Sequence, residues 1–108
     1  MARVLGIATD LMLASRVEAA LTAAGHEVTT AASLAEAPLE GVELVVADLE
    51  ATDPEALAAL GVPVLGYCSH LDAEARRAAE DAGVDLVAPR SRMARELPAL
   101  AERLLSAA

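Results

Sequence analysis

An aspartate at the end of a strongly apolar stretch is the first residue in this sequence that could do chemistry. The stretch runs from Val42 to Glu50, and four consecutive apolar residues, two of them β-branched, directly precede Asp48. Such a run predicts a β-strand that is buried on both faces. Because ligands of open α/β sheets bind beyond the carboxyl ends of the strands, Asp48 is a candidate site residue. The alternative is an ordinary solvated aspartate at a strand end.

A thiol and an imidazole two residues apart form a second candidate group. Cys68, Ser69 and His70 follow another apolar run. A cysteine activated by a histidine is a common enzymatic nucleophile, so a small thiol or histidine enzyme is one possible function. The competing interpretation is that Cys68 is a small buried hydrophobe and His70 an ordinary loop residue. A cluster of His70 with Asp48 or Arg90 could also bind a small anion or respond to pH.

Three arginines, Arg90, Arg92 and Arg95, lie near the start of the last predicted helix. Because cations at a helix N-terminus are unfavourable, we expect each of them to have a partner. One interpretation is pairing within the chain, and the other is an anionic ligand or an acidic partner surface. The carboxylates available within the chain are Asp48, Asp85 and Glu96.

Strand and helix patterns alternate five times along the chain. The apolar or alternating runs that predict strands are Val4–Ala8, Glu27–Thr30, Val42–Glu50, Val62–Tyr67 and Asp85–Ala88, with the polar second run at an edge of the sheet. The segments with helical periodicity are Leu11–Ala24, a turn or two after Ser33, Pro54–Leu60, Ala73–Ala82 and a final helix from Ser91 to Leu105. The alternation predicts a parallel sheet with right-handed crossovers and helices on both faces.

Local signals predict where several of these helices begin and end. Ser33–Glu36 has the pattern of a capping box, and Asp53, Asp72 and Ser91 are expected to cap the helices that follow them. Pro98 is expected to kink or restart the last helix.

The composition excludes several classes of function. The 108 residues are enough for one domain with its own core, and 56% of them are hydrophobic. With a formal net charge of −9 and no basic stripe, neither nucleic acid nor an anionic membrane surface is an expected partner. The chain has no lysine, which excludes Schiff-base chemistry, and Tyr67 is its only aromatic residue.

Cysteine usage and the apolar segments bear on the compartment and on metal sites. One cysteine and two histidines are too few for a structural zinc site, and a lone Cys68 fits a reducing compartment. No apolar segment is long enough to span a membrane, and the first residues do not have the pattern of a secretion signal. We therefore expect a cytoplasmic protein.

The order of the elements resembles the receiver domain of bacterial response regulators, the CheY-like family with a flavodoxin-like α/β fold. The resemblance covers nearly the whole chain, as a single receiver-like domain over residues 1–108, and implies a strand order of 2-1-3-4-5. The segments that carry it are Ala24–Val28, Leu44–Asp48, Val62–Leu65 and Asp81–Asp85.

The resemblance assigns family roles to some residues and finds others replaced. Asp48 falls on the phosphoacceptor aspartate. The two adjacent acids that hold magnesium in the family appear here as Ala8 and Thr9, with Asp10 one residue late. The chain therefore resembles a receiver that has kept the acceptor position and lost most of the metal cage, which is called a pseudo-receiver.

The remaining family positions are also changed. The serine or threonine after the fourth strand falls on Cys68, with Ser69 beside it, and the lysine after the fifth strand falls on Arg90. The proline that normally follows that lysine is instead Pro89, ahead of Arg90, and the loop Leu49–Pro54 is shortened. A bidentate pair between Arg90 and the acceptor aspartate would hold the loop in one state without a phosphate.

The expected function is a stand-alone, non-catalytic signalling or protein-interaction module without a cofactor. The alternative is a phosphorylatable receiver in which Mg²⁺ is bound by Asp10 and Asp48. In receivers the fourth helix, fifth strand and fifth helix form the partner and dimer surface, so a protein partner or a second copy is expected there. The corresponding segments of this chain are Ala73–Ala82, Asp85–Ala88 and Ser91–Leu105.

Overall fold

The computed structural model describes residues 2–69 and 73–107. Within them, five strands form one parallel sheet of order β2-β1-β3-β4-β5. The strands are β1 (Arg3–Ile7), β2 (Glu27–Ala31), β3 (Leu44–Asp48), β4 (Val64–Cys68) and β5 (Leu86–Pro89). The predicted fold class, strand order and edge position of the second strand are therefore confirmed.

Two helices cover each face of the sheet. The helices are α1 (Leu11–Ala23), α2 (Pro54–Ala58), α3 (Ala73–Ala82) and α4 (Arg90–Ala107). Side chains of α1 and α4 form one buried cluster with one face of the sheet, and side chains of α2 and α3 form a second cluster with the other face. All five residues of β3 are buried, which explains why its sequence is continuously apolar.

Two aspartates cap helices, one of which, Asp53, was predicted from the sequence. Asp53 caps α2 by accepting a hydrogen bond from the backbone N–H of Glu55, and Pro54 occupies the first turn. Asp10 caps α1 by accepting hydrogen bonds from Met12 and Leu13. This second cap fixes where the chain turns after β1, at the edge of the sheet where the candidate site is expected.

Several predicted boundaries differ from the structure. Ser33 makes no side-chain capping bond, and the predicted capping box is replaced by a single 3₁₀ turn at Leu34–Glu36. The last helix begins at Arg90 rather than after a cap at Ser91, and it continues through Pro98 without restarting. The first and fifth strands are each shifted by one residue, whereas the predicted Asp72 cap lies outside the described residues.

Asp85 should stabilise the start of β4, because its Oδ2 accepts a 2.8 Å hydrogen bond from the backbone N–H of Val64. We expect Asp85→Ala to lower the free energy of unfolding by about 1 kcal/mol, the usual contribution of such a bond. The measurement is urea unfolding followed by circular dichroism. The matched control is Asp81→Ala, which removes an exposed carboxylate in the last turn of α3. It should change the free energy of unfolding by less than half as much.

Candidate functional site

Asp48 ends β3 at the carboxyl edge of the sheet and is almost fully buried, with 5% of its surface exposed. Its Oδ1 accepts a 2.9 Å hydrogen bond from the backbone N–H of Glu50, which turns the chain directly after the strand. Its Oδ2 lies 3.9 Å from Nη2 of Arg90. A buried carboxylate needs such compensation, because transfer of an unpaired charge out of water is costly.

Arg90 reaches this carboxylate from the first residue of α4, immediately after β5. The predicted pairing of Arg90 with Asp48 is confirmed, but the bidentate geometry is not. One nitrogen makes the contact, while the buried Nε has no hydrogen-bond partner among the described residues. The guanidinium thus neutralises Asp48 and retains an unused donor.

Tyr67 lies beside Asp48 in the register of the sheet and is 1% exposed. Its hydroxyl group is buried and makes no hydrogen bond to any described residue. Burial, and secondarily the negative charge of Asp48, raise the pKa of the Tyr67 hydroxyl far above its ordinary value, while Arg90 opposes this rise. A neutral phenol therefore lies beside the Asp48–Arg90 pair.

The residues after β1 supply little to a metal site. Ala8 is buried and has no side-chain oxygen, and Thr9 and Asp10 are exposed. Oδ1 of Asp10 is occupied by the two backbone N–H groups at the start of α1. In residues 2–69 and 73–107, no three His, Cys, Asp or Glu side chains lie together as metal ligands would. Of the side-chain oxygens that Mg²⁺ takes as ligands, Ala8 therefore offers none, and Asp10 has one already engaged at the start of α1.

Asp10 and Arg90 nevertheless line one surface cavity of about 210 Å³. The other lining residues come from the first turns of α1: Met12, Leu13 and Arg16. The end of β1 and the start of α4 therefore meet at one edge of the sheet.

Cys68 and Ser69 face a different part of the molecule. Cys68 is 6% exposed and lines a cavity of about 190 Å³ together with residues of the loop after β3 and of α3. Since successive side chains of a strand point to opposite faces, Cys68 lies on the face opposite Tyr67. Its burial agrees with its interpretation as a small hydrophobe, and His70 lies outside the described residues.

Ser69 is held by Glu50. Its backbone N–H donates a 2.6 Å hydrogen bond to Oε1 of Glu50, and its hydroxyl donates to the same oxygen. This contact joins the loops that follow β3 and β4, so both loops at this edge are tied to each other.

The other two arginines at the start of α4 pair within their own helix. Arg92 Nε lies 3.4 Å from a carboxylate oxygen of Glu96, and Arg95 Nε donates a 3.4 Å hydrogen bond to the carbonyl oxygen of Ser91. Pairing within the chain is therefore confirmed for Arg90 and Arg92, whereas Asp85 is engaged at β4.

Two residues of the site were missed in the sequence analysis. Tyr67 was noted there only as the single aromatic residue, although the alternation of β4 places it on the same face as the buried Leu65. The role of Glu50 depends on the conformation of the turn after Asp48, for which the sequence carries no comparable signal.

Among the described helices, none combines the length and the apolarity that crossing a bilayer requires.

Comparison with solved structures places this fold among receiver domains. A CheY-like receiver domain protein from Methanospirillum hungatei has a TM-score of 0.85 at 21% identity, covering 98% of this chain and 94% of that chain. A receiver domain protein from Clostridium thermocellum has a TM-score of 0.84 at 18% identity, covering 98% and 95%. An atypical orphan response regulator, described as having a phosphorylation-independent regulatory mechanism, has a TM-score of 0.84 at 20% identity, covering 96% and 95%. No protein-family model and no curated protein sequence matches the chain.

Proposed function

We propose that this chain, which has the fold of response regulator receiver domains, acts as a non-catalytic signalling module that binds a protein partner and does not accept a phosphoryl group. The observation that carries the proposal is the site around Asp48. The acceptor-position carboxylate is buried and paired with Arg90, while the two positions at which receivers carry magnesium-binding acids hold Ala8 and Thr9.

The chemistry of phosphoryl transfer supports this proposal. Transfer to a carboxylate depends mainly on positioning and on neutralisation of the phosphate charge, for which Mg²⁺ is the usual agent. Asp10 offers a metal ion its Oδ2, because its Oδ1 accepts the two capping hydrogen bonds of α1. With Ala8 and Thr9 in place of two acids, the site has fewer carboxylates to neutralise a transferred phosphoryl group.

The charge of Asp48 is already compensated within the protein. Arg90 supplies a positive charge at 3.9 Å without a phosphate or a metal ion. The solved structure of an atypical orphan response regulator, described as having a phosphorylation-independent regulatory mechanism, is a precedent for a receiver fold whose regulation does not depend on phosphorylation. The surface made by α3, β5 and α4 is the partner-binding surface that the resemblance implies, either for another protein or for a second copy in the cytoplasm.

The alternatives have less support. Cys68 is buried on the face away from Asp48, where it lines a cavity with α3, so the thiol has no access to the Asp48–Arg90 pair. A nucleophilic thiol is normally a partly exposed one in an electropositive setting. We therefore propose that the chain is not an enzyme.

The test is phosphorylation by acetyl phosphate in the presence of Mg²⁺, with intact-protein mass spectrometry as the measurement. The wild-type protein should gain no phosphoryl mass beyond that of Asp48→Asn, because no metal cage neutralises the transferred group. Thr9→Asp restores one acid at an exposed position and should increase labelling. Wild-type labelling that requires Mg²⁺ and disappears in Asp48→Asn would instead establish a phosphorylatable receiver.

A further inference from the structure

The connection between β2 and β3 is built differently from the other connections of the sheet. Each of the others contains an α-helix, whereas residues 32–43, all of which the structure describes, contain one 3₁₀ turn followed by irregular chain. Pro38 accounts for this difference, because a proline disfavours helical geometry at the residue before it, and Ala37 is extended, with φ −78° and ψ 136°. The sheet therefore has no α-helix of this connection to cover it.

The apolar side chains around this connection are only partly covered. Those that pack on the buried α2–α3 cluster but remain partly exposed come mostly from the connection and from the segment before β4: Ala31, Leu34, Ala37, Val42, Leu60 and Val62. By contrast, the faces of a parallel sheet are ordinarily covered by helices on both sides. The uncovered area is thus the place where a helix is missing from the usual arrangement.

A small apolar pocket opens at this place. Its volume is about 120 Å³, and its lining residues are all aliphatic: Leu39, Val42, Val45, Leu60 and Val62. Leu39 is 45% exposed and forms part of the rim. Since a cavity of roughly 150 Å³ holds benzene, this pocket fits one aliphatic side chain better than an aromatic ring.

A larger, polar concavity of about 310 Å³ adjoins the apolar pocket, because Val42 lines both. Arg3, Glu27 and Glu40 are its charged lining residues. Nε of Arg3 lies 3.6 Å from a carboxylate oxygen of Glu27, whereas Glu40 makes no ion pair with any described residue. An uncompensated carboxylate therefore lies next to the apolar pocket.

The charges around the two concavities are mainly negative. Glu36, Glu40 and Glu43 are exposed on the connection and Glu27 is exposed on β2, while Arg3 is the cation among the lining residues. Such a surface repels an acidic partner, including a second copy of a chain with a net charge of −9, and attracts a basic one. The complementary ligand combines an aliphatic side chain with a lysine or an arginine.

We propose that this crossover surface, formed by Leu39, Glu40, Val42, Leu60 and Val62, binds a basic amphipathic helix of a partner protein. An aliphatic side chain of that helix enters the apolar pocket, and a lysine or arginine pairs with Glu40. Amphipathic helices commonly bind proteins by laying their apolar face into such a groove. The proposal goes beyond the proposed function and can fail separately from it, because it involves neither Asp48 nor the surface of α3, β5 and α4.

The experiment is a fluorescence-anisotropy titration of the purified chain into a labelled peptide of leucine and lysine. The peptide is about 14 residues, or roughly four helical turns, long and has its leucines on one helical face. The wild-type chain should bind it with a Kd of about 1–100 μM. Replacing the leucines of the peptide by serine should weaken binding about tenfold or more, because the apolar pocket is then left unfilled.

Two substitutions with matched controls test whether binding occurs at the crossover surface. Glu40→Lys should weaken binding about tenfold or more, whereas Glu18→Lys, which changes the net charge equally on α1, should stay within about threefold of wild type. Leu39→Asn makes the rim of the pocket polar and should weaken binding about fivefold or more. Leu11→Asn, at an exposed position of α1, should stay within about twofold. Circular dichroism verifies that each variant is folded.

Three outcomes would overturn the proposal. The first is a wild-type chain that shows no saturable binding up to several hundred micromolar, roughly the upper limit for a specific weak complex. The second is equal weakening by Glu40→Lys and Glu18→Lys, which would indicate attraction by net charge alone. The third is unchanged affinity for the serine peptide or in Leu39→Asn, which would mean that the apolar pocket is not occupied.

Discussion

Above about pH 10 the protein should lose stability through one side chain, Tyr67. Because burial and the charge of Asp48 raise the pKa of the folded-state hydroxyl above the unfolded-state value of about 10, the unfolded chain releases its proton first. The contribution of Tyr67 to stability is then fully present below pH 10 and declines as the pH rises. The expected slope is about 1.4 kcal/mol for each pH unit between about pH 10 and 12.

Urea unfolding at a series of alkaline pH values measures this slope. The chain has one tyrosine and no lysine, so no second residue of either type contributes to the charge change in this range. Tyr67→Phe removes a hydroxyl that has no hydrogen-bond partner among the described residues, and it should remove the contribution of Tyr67 to the slope while leaving the stability at neutral pH nearly unchanged. An equally steep decline in Tyr67→Phe would show that another group is responsible.

The same tyrosine reports on the candidate site. Asp48→Asn removes a charge that raises the pKa of Tyr67, so the tyrosinate absorbance of the folded protein should develop at lower pH than in wild type. Arg90→Met removes a charge that lowers this pKa and should shift the absorbance change in the opposite direction. Identical titrations in all three proteins would contradict the placement of the phenol beside this ion pair.

Leu97→Ala should have the largest effect on stability, a loss of about 2–5 kcal/mol in the free energy of unfolding. Leu97 is 1% exposed and packs α4 onto the cluster that includes Met93 and Tyr67. Truncation should leave a cavity in this cluster, because the surrounding buried side chains collapse into such a space only partially. The measurement is urea unfolding followed by circular dichroism.

Leu39→Ala is the matched control for this substitution. It removes the same atoms at a position that is 45% exposed, and we expect the free energy of unfolding to fall by less than about 1 kcal/mol. Similar losses for the two variants would mean that α4 is not anchored through Leu97. Because α4 carries Arg90 at its first residue, loosening this helix should also reduce the influence of Arg90 on the titration of Tyr67.

The fold could be predicted because buried parallel strands and their helices leave periodic signals. The run ending at Asp48 and the polar run Glu27–Thr30 predict a central and an edge strand, and both predictions are confirmed. Helix starts were less predictable, because a serine such as Ser33 or Ser91 has a capping side chain whether or not the local turn lets it bond. In the structure α4 begins at Arg90, directly after the last residue of β5.

The candidate site was only partly predictable. Asp48 was one of three carboxylates expected to pair with the arginines of the last helix, and the resemblance placed Arg90 near it. In the structure the sheet brings both residues to one edge. The face of the sheet on which Cys68 lies could be predicted only with the exact register of β4, since a shift of one residue exchanges the two faces of a strand. In the structure the phenol of Tyr67 lies beside the Asp48 carboxylate, and the thiol of Cys68 lies on the other face.

The passage of α4 through Pro98 has a consequence for hydration. Proline has no backbone N–H, so the carbonyl oxygen of Ala94, four residues earlier, receives no bond from it within the helix. Ala94 also forms part of the wall between α1 and α4. Ala94 is exposed, so water can reach this oxygen, and a surface that covers it removes that access unless it brings an N–H or O–H group to the same point.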